Sequence, residues 1–179
     1  MWMYILLAMA ALLFGSIVLP SFWGGAWSPT PMHIVNQMLE MANFREGETL
    51  FDLGAGDGRV IIKAASTYPI KAVGVEIDPF KCFLLKLRVR LKGLGGRVRI
   101  INKDFFKTDL SAADVVFLYL SPVAHQRLSE KIIKELRNGA RVVSYRRTMS
   151  GLPLKAVRPQ NLYLYSIGQD ATQTNVDVL

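Results

Sequence analysis

The stretch Phe51-Asp52-Leu53-Gly54-Ala55-Gly56-Asp57-Gly58-Arg59-Val60 constrains this chain more than any other part of it. Three glycines at alternate positions, Gly54, Gly56 and Gly58, stand between an apolar run, Thr49 to Leu53, and an apolar helical pattern carried by Val60, Ile61, Ile62, Ala64 and Ala65. Such a pattern predicts strand, glycine turn and helix, because glycine lets the backbone turn sharply and lets a ligand touch the main chain. The N–H groups that open the helix then offer hydrogen bonds to that ligand. A nucleotide-type cofactor site is expected at the end of the first strand.

The surrounding residues narrow the ligand. A dinucleotide fingerprint reads G-x-G-x-x-G, whereas here Arg59 follows Gly58 and an acid, Asp52, stands ahead of the glycines. That carboxylate would repel a phosphate and favours a ligand bearing an amine; S-adenosylmethionine has an ammonium and a sulfonium and no phosphate. The second strand, Ala72 to Val75, ends in Glu76, 24 positions after Asp52, where an acid accepts hydrogen bonds from a ribose. Asp78 and Pro79 then read as N-cap and first-turn residue of a helix. Phe80, Phe83, Leu84, Leu87, Leu91 and Leu94 are expected to face the sheet, and Lys81, Lys86, Arg88, Arg90 and Lys92 to form a solvated face, with attraction to nucleic acid or acidic lipids as the alternative.

A third strand, Val98 to Asn102, leads to Asp104 and Phe105, an acid and an aromatic suited to the amino group and face of an adenine. Asp114 to Leu120 is an almost wholly apolar fourth strand of the kind buried in a parallel sheet, and it runs into Ser121-Pro122. A helix from about Ala124 to Leu136, with Leu128, Ile132, Ile133 and Leu136 inward, stops at Asn138-Gly139. Arg141 to Tyr145 is the fifth strand, 154–157 and 161–167 form a hairpin, and a loose polar tail begins at about 169. The fold class is α/β, Rossmann-like, with a mostly parallel sheet and a C-terminal antiparallel hairpin.

No Asp, Glu, Lys or Arg precedes Glu40, so the formal charge of +8 belongs entirely to the rest of the chain. As a helix, residues 2–23 would extend roughly 33 Å, enough to cross a hydrocarbon core of about 30 Å. Trp2 and Tyr4 lie at one end of this run and Phe22, Trp23 and Trp27 at the other, where interfacial aromatic belts belong. Three segments are therefore expected: a transmembrane anchor with its flank over 1–26, a catalytic domain over 27–168, and a C-terminal tail over 169–179. Trp27, Pro29 and Thr30 fall in the stiff segment Trp27-Ser28-Pro29-Thr30-Pro31 that either links membrane to domain or folds over the cofactor, and a helix from about Met32 to Ala42 follows it.

With these motifs in view, the chain resembles the class I S-adenosylmethionine-dependent methyltransferases. More narrowly it is similar to the small membrane-anchored protein-lysine methyltransferases, the family of the ATP synthase c-subunit enzyme and of compact archaeal lysine methyltransferases. The resemblance runs from about Ser28 to Ile167 and is carried by SPTP, DLGAGDGR, GVEIDP, DFF, ADVVFLYLSP, VVSYR and LYLY. It implies that Asp52, Gly54 and Gly56 meet the methionine part of the cofactor, Glu76 the ribose hydroxyls, and Asp104 with Phe105 the adenine, with Ala55, Gly58, Ile77 and Leu120 also in the cofactor site. Tyr119, Leu120, Ser121 and Pro122 would line the methyl-transfer site. Enzymes of this class that methylate base amines carry two prolines and an aromatic where Leu120-Ser121-Pro122 stands here, which disfavours a nucleobase acceptor.

Methyl transfer to an amine depends chiefly on orientation, desolvation and loss of a proton. Tyr119, Ser121 and Tyr145 are the expected catalytic residues, forming a slot with the 27–31 segment. The expected acceptor is a protein lysine, in a target docked near the membrane, with the domain facing the cytoplasm or the inner compartment of an organelle. Transfer to a small lipophilic molecule, transfer to RNA through the basic surface, and a non-catalytic cofactor-binding module are the rivals. His33 and His125 are isolated and read as exposed or helix-terminal residues; with a single cysteine, Cys82, no metal site is expected. Nothing in the sequence sets an oligomeric state.

Overall fold

The computed structural model describes residues 2–7, 28–168 and 177–178. Its centre is an eight-stranded sheet of order β3-β2-β1-β4-β5-β7-β6-β8. The strands are β1 (Thr49–Leu53), β2 (Lys71–Glu76), β3 (Val98–Asn102), β4 (Val115–Leu118), β5 (Arg141–Tyr145), β6 (Leu154–Arg158), β7 (Leu162–Ser166) and β8 (Asp177–Val178). The first five run parallel, and β7 lies antiparallel to both β5 and β6. This is the mostly parallel sheet with a C-terminal hairpin expected from the motif order. Asp177–Val178 pair with β6, while the rest of the expected tail lies outside the described residues.

Side chains alternate across β1 and both faces are covered, as a parallel sheet requires. On one face, Leu50 packs with helices α1 (Met32–Ala42), α2 (Arg59–Thr67) and α3 (Pro79–Leu91) through Val35, Met38, Ile61, Ala64, Leu85 and Val89. On the other, Phe51 and Leu53 meet α4 (Pro122–Glu135) through Leu128 and Ile132. Local chemistry sets the helix starts. The Asp78 carboxylate accepts from the N–H groups of Phe80 and Lys81 with Pro79 in the first turn, and the Ser121 hydroxyl accepts from Ala124 N–H with Pro122 behind it.

Two expectations fail and a third holds in part. The side of α3 that faces the sheet is Cys82, Leu85 and Val89, followed by Leu94, whereas Phe80, Phe83, Leu84, Leu87 and Leu91 point outward. Ile133 is likewise exposed. His125 sits in the first turn of α4, the helix-terminal place expected for it, but it is buried, and its Nε2 lies 2.9 Å from the Ser144 hydroxyl, so the two share a hydrogen bond between α4 and β5.

Residues 2–7 are helical, and most of the expected 2–23 span lies outside the described residues. Among the described residues no helix is long and apolar enough to cross a membrane.

Gly58 ends the glycine turn at the start of α2 and packs against Leu85 of α3. Its φ is +75°, and a Cβ there would lie 1.9 Å from Leu85 Cδ1. Gly58→Ala is therefore expected to destabilise the fold by about 1–3 kcal/mol in denaturant unfolding. Gly95→Ala, which meets open space, should leave the midpoint nearly unchanged.

Candidate active site

The glycine turn is held by the strand beside it. Gly54 N–H and Ala55 N–H both donate to the Val75 carbonyl, at 2.8 and 3.0 Å, so the chain folds back over the end of β2. The Glu76 carboxylate completes the tie: one oxygen accepts from Gly56 N–H at 2.9 Å and the other from Asp78 N–H at 3.0 Å. Asn102 donates to the carbonyls of Glu76 and Ile77, fixing the next bend. Leu120 lies over Gly54 so closely that a Cβ there would stand 3.0 Å from its Cδ2. The turn thus presents bare backbone between β1, β2 and the end of β4.

Three carboxyl groups converge under this turn. Asp52 is buried on β1, and burial raises its pKa to about 7, helped by the charges of Glu76 and Asp57. No cation among the described residues offsets that shift, so the site has a deficit of positive charge. Asp57 behaves differently. Burial alone would raise its pKa, but the hydrogen bonds and charge of Arg59, with Arg88 beyond, bring it below the usual carboxylate range. The Arg59 guanidinium grips Asp57 in bidentate fashion, at 3.0 and 2.7 Å, and its other nitrogen donates to the Thr30 carbonyl at 3.0 Å. Arg59 therefore straps the 28–30 segment over the turn.

That segment narrows the space beside Asp52 to a cavity of about 50 Å³, walled by Ser28, Pro29, Thr30, Gly54, Gly56 and Tyr119. Tyr119 closes the far side. Its hydroxyl is 3.1 Å from Ser28 Oγ, Arg146 donates to it at 3.4 Å, and its ring lies 4.8 Å from that of Tyr145. The Arg146 guanidinium stands 5.2 Å from the centre of the Tyr145 ring. A larger cavity, about 350 Å³, continues past Arg146 along Pro122, His125, Arg147 and Tyr163.

The structure thus brings Asp52, Gly54, Ala55, Gly56, Glu76, Leu120, Pro29, Thr30 and Tyr119 around one turn, with Tyr145 behind Tyr119. Gly58 packs on Leu85 at its back. Ile77 is exposed at the end of β2. Asp104 caps a short 3-10 turn, accepting from Phe106 N–H at 2.9 Å, and the Phe105 ring packs against Phe106. Ser121 spends its acceptor on the start of α4, and Pro122 is exposed in that helix's first turn. Trp27 lies outside the described residues. Sequence reasoning missed Arg59 as the strap's anchor and Arg146 as the charge over the tyrosines. The adjacency of Asp57 and Arg59 was the available signal for the first; the second depends on β5 lying next to β4.

Comparison with known proteins gives this geometry a context. The family model described as the ANTKMT methyltransferase domain matches residues 52–156. A protein-lysine N-methyltransferase of Saccharolobus islandicus is 37% identical over 79% of this chain and 92% of its own. The adenine nucleotide translocase lysine N-methyltransferase of Mus musculus is 35% identical over 63% of this chain. The ATP synthase c-subunit lysine N-methyltransferase of Rattus norvegicus is 31% identical over 66% of it. The chain spans about half the length of these two animal proteins, 48% and 54%. Among solved structures, an RNA methyltransferase from Salinibacter ruber in complex with S-adenosyl-L-homocysteine superposes with a TM-score of 0.73. It is 34% identical and is covered over 99% of its length by 83% of this chain.

Asp52 makes stability depend on pH in a definite direction. Its folded pKa, about 7, lies above the ordinary 3.8, so between those values the folded chain binds the proton more tightly than the unfolded chain does. Its contribution to the stability of the ligand-free protein is expected to fall as pH rises from about 4 to about 7 and to change little above that. Asp52→Asn should flatten this part of the profile, as read by denaturant midpoints across the range.

Proposed function

Because the chain belongs to the ANTKMT methyltransferase-domain family and uses S-adenosyl-L-methionine as methyl donor, we propose that its acceptor is the side-chain amine of a protein lysine. The observation that carries this reading is the tyrosine pair at the ends of adjacent strands, Tyr119 and Tyr145, whose rings touch at a tilt with centroids 4.8 Å apart and which stands beside the glycine turn. The aromatic surface that this tilted pair offers suits the aliphatic stem of a lysine. Arg146 beside them suits its chemistry, because a fixed positive charge favours the neutral, nucleophilic amine over the ammonium. The lysine specificity of the archaeal relative, by its name, supports the same acceptor.

The residues at the turn fit the donor. When bound, S-adenosyl-L-methionine supplies an electrophilic methyl on a sulfonium and a free ammonium. Asp52 provides the missing counter-charge for those cations, and Gly54, Ala55, Gly56 and Gly58 allow backbone contact with the methionine end. Glu76, with lone pairs left after its two backbone bonds, takes the ribose hydroxyls. Ile77, Asp104 and Phe105 hold the adenine, and Leu120 packs against the donor. Tyr119 and Tyr145 orient the lysine, Ser121 and Pro122 fix the wall they stand on, and Trp27, Pro29 and Thr30 form the strap across the slot.

The uncharged 2–23 run supports a single membrane anchor for the 27–168 domain, which would face the compartment where the donor is made. Acceptors would then be proteins at or near that membrane. An RNA acceptor is the second reading, favoured by the description of the Salinibacter structure.

The test is to incubate the full-length protein and methyl-labelled donor with membranes and with soluble extract. Label recovered as methyl-lysine after acid hydrolysis is the expected result, whereas label released by ribonuclease would replace this reading with the second one. Tyr119→Phe removes the hydroxyl that ties Ser28 and Arg146 to the slot. It should lower kcat/KM by about tenfold, the cost of one hydrogen bond to a charged group.

A further inference from the structure

The helix that turned its apolar stripe outward points to a second surface. Phe80, Phe83, Leu84, Leu87 and Leu91 recur at helical spacing along α3 and form one exposed stripe, with Phe83 at 63% and Leu91 at 77% accessibility. Ile77 continues it toward the end of β2. Cys82, Leu85 and Val89, which hold α3 to the sheet, lie on the opposite side of the helix. By the same 100° rotation, Lys81, Arg88 and Lys92 fall on one flank of the stripe, and Lys86 and Arg90 on the other. Of these, Lys86, Arg88, Arg90 and Lys92 are exposed, and Arg88 also donates to the Asp57 carbonyl of the glycine turn.

Charge singles out the same place. From Pro79 to Lys103 the chain has eight basic residues and no acidic one. Basic and acidic residues balance in the remainder, so the whole formal charge of +8 lies in this segment. Its last part is β3, at the edge of the sheet beside α3, where Arg97, Arg99 and Lys103 are also exposed.

We propose that the outer face of α3 is a membrane-docking surface for anionic phospholipid. The apolar stripe enters the boundary between headgroups and acyl chains, and the flanking lysines and arginines reach the lipid phosphates while their stems cover the edge of the stripe. An exposed apolar patch rimmed by polar groups marks an interaction surface. Leu84, Leu87 and Leu91, the larger part of the stripe, offer a nucleic acid neither a stacking plane nor a hydrogen bond, and a second copy of the same face would set its basic flanks against each other. Docked in this way, α3 brings the glycine turn it contacts close to the bilayer. The inference goes beyond the acceptor assignment and does not depend on it.

The full-length protein can be assembled with lipid nanodiscs whose acyl chains carry nitroxide quenchers, in anionic phosphatidylglycerol mixtures and in phosphatidylcholine alone. A fluorophore is placed on Leu87→Cys, and on Glu130→Cys of α4 as a control on the other side of the sheet; native Cys82 is buried and does not compete. A circular dichroism spectrum and a denaturant midpoint equal to those of the unlabelled parent show that each labelled variant is folded. The expected result is quenching several-fold stronger at position 87 than at 130 in anionic nanodiscs, reduced by phosphatidylcholine, by high salt and by Lys86→Gln/Arg90→Gln. Nanodisc association with equal quenching at the two positions would overturn the proposal while leaving the 2–23 anchor intact; no association at all would remove both. Shielding of position 87 by an oligonucleotide, or by self-association without lipid, would also overturn it.

Discussion

The local architecture depends on how the Glu76 carboxylate is used. Its two oxygens take backbone N–H groups from opposite sides, Gly56 in the turn after β1 and Asp78 at the start of α3. One buried side chain at the end of β2 therefore sets the shape of the glycine turn and the place where the next helix begins. Charge-assisted hydrogen bonds of this kind are strong, and removing the acceptor would leave two N–H groups without partners. Asp78 in turn caps α3, whose Leu85 fills the space that Gly58 leaves open. The cofactor turn and the outer helix are thus parts of one hydrogen-bonded and packed unit.

Next to this unit the fold tolerates an unfavourable charge distribution. Asp52 is buried near two other acids, one of them neutralised by Arg59, and it is held partly protonated as a consequence. Natural folds accept such a cost where a ligand relieves it. The cationic donor proposed for this turn would do so, which accounts for an acid ahead of the glycines. Arg59 then has two duties: it keeps Asp57 ionised and it holds the Thr30 carbonyl, so the strap and the turn respond together.

The sheet was legible because hydrophobic runs, glycine turns and N-caps all agreed: β1, β2, β3 and β5 fall within a residue of their expected limits. The turn was legible because the DLGAGDGR spacing combines backbone need with charge. The face of α3 was not, for a physical reason. That helix is apolar on two opposite sides, and the larger residues, Phe80, Phe83, Leu84, Leu87 and Leu91, outweigh Cys82, Leu85 and Val89 in any reading by periodicity. Only the packing of Leu85 against Gly58 decides between them. The burial of His125 at its helix end was not legible for a related reason, since its partner Ser144 lies on a strand brought beside α4 by the sheet and not by the sequence. The Tyr119 and Tyr145 pair was expected from adjacent strand ends, but the Ser28 and Arg146 contacts that set its chemistry depend on tertiary placement.

The most direct test of the account is proton release on donor binding. Titration calorimetry with S-adenosyl-L-methionine at pH 6, in buffers of different ionisation enthalpy, reads the proton that Asp52 gives up when cations arrive beside it. The account predicts net proton release at pH 6, loss of most of it at pH 8, and its absence in Asp52→Asn. Heats independent of the buffer at pH 6, with tight binding retained in Asp52→Asn, would contradict the placement of the donor at this turn.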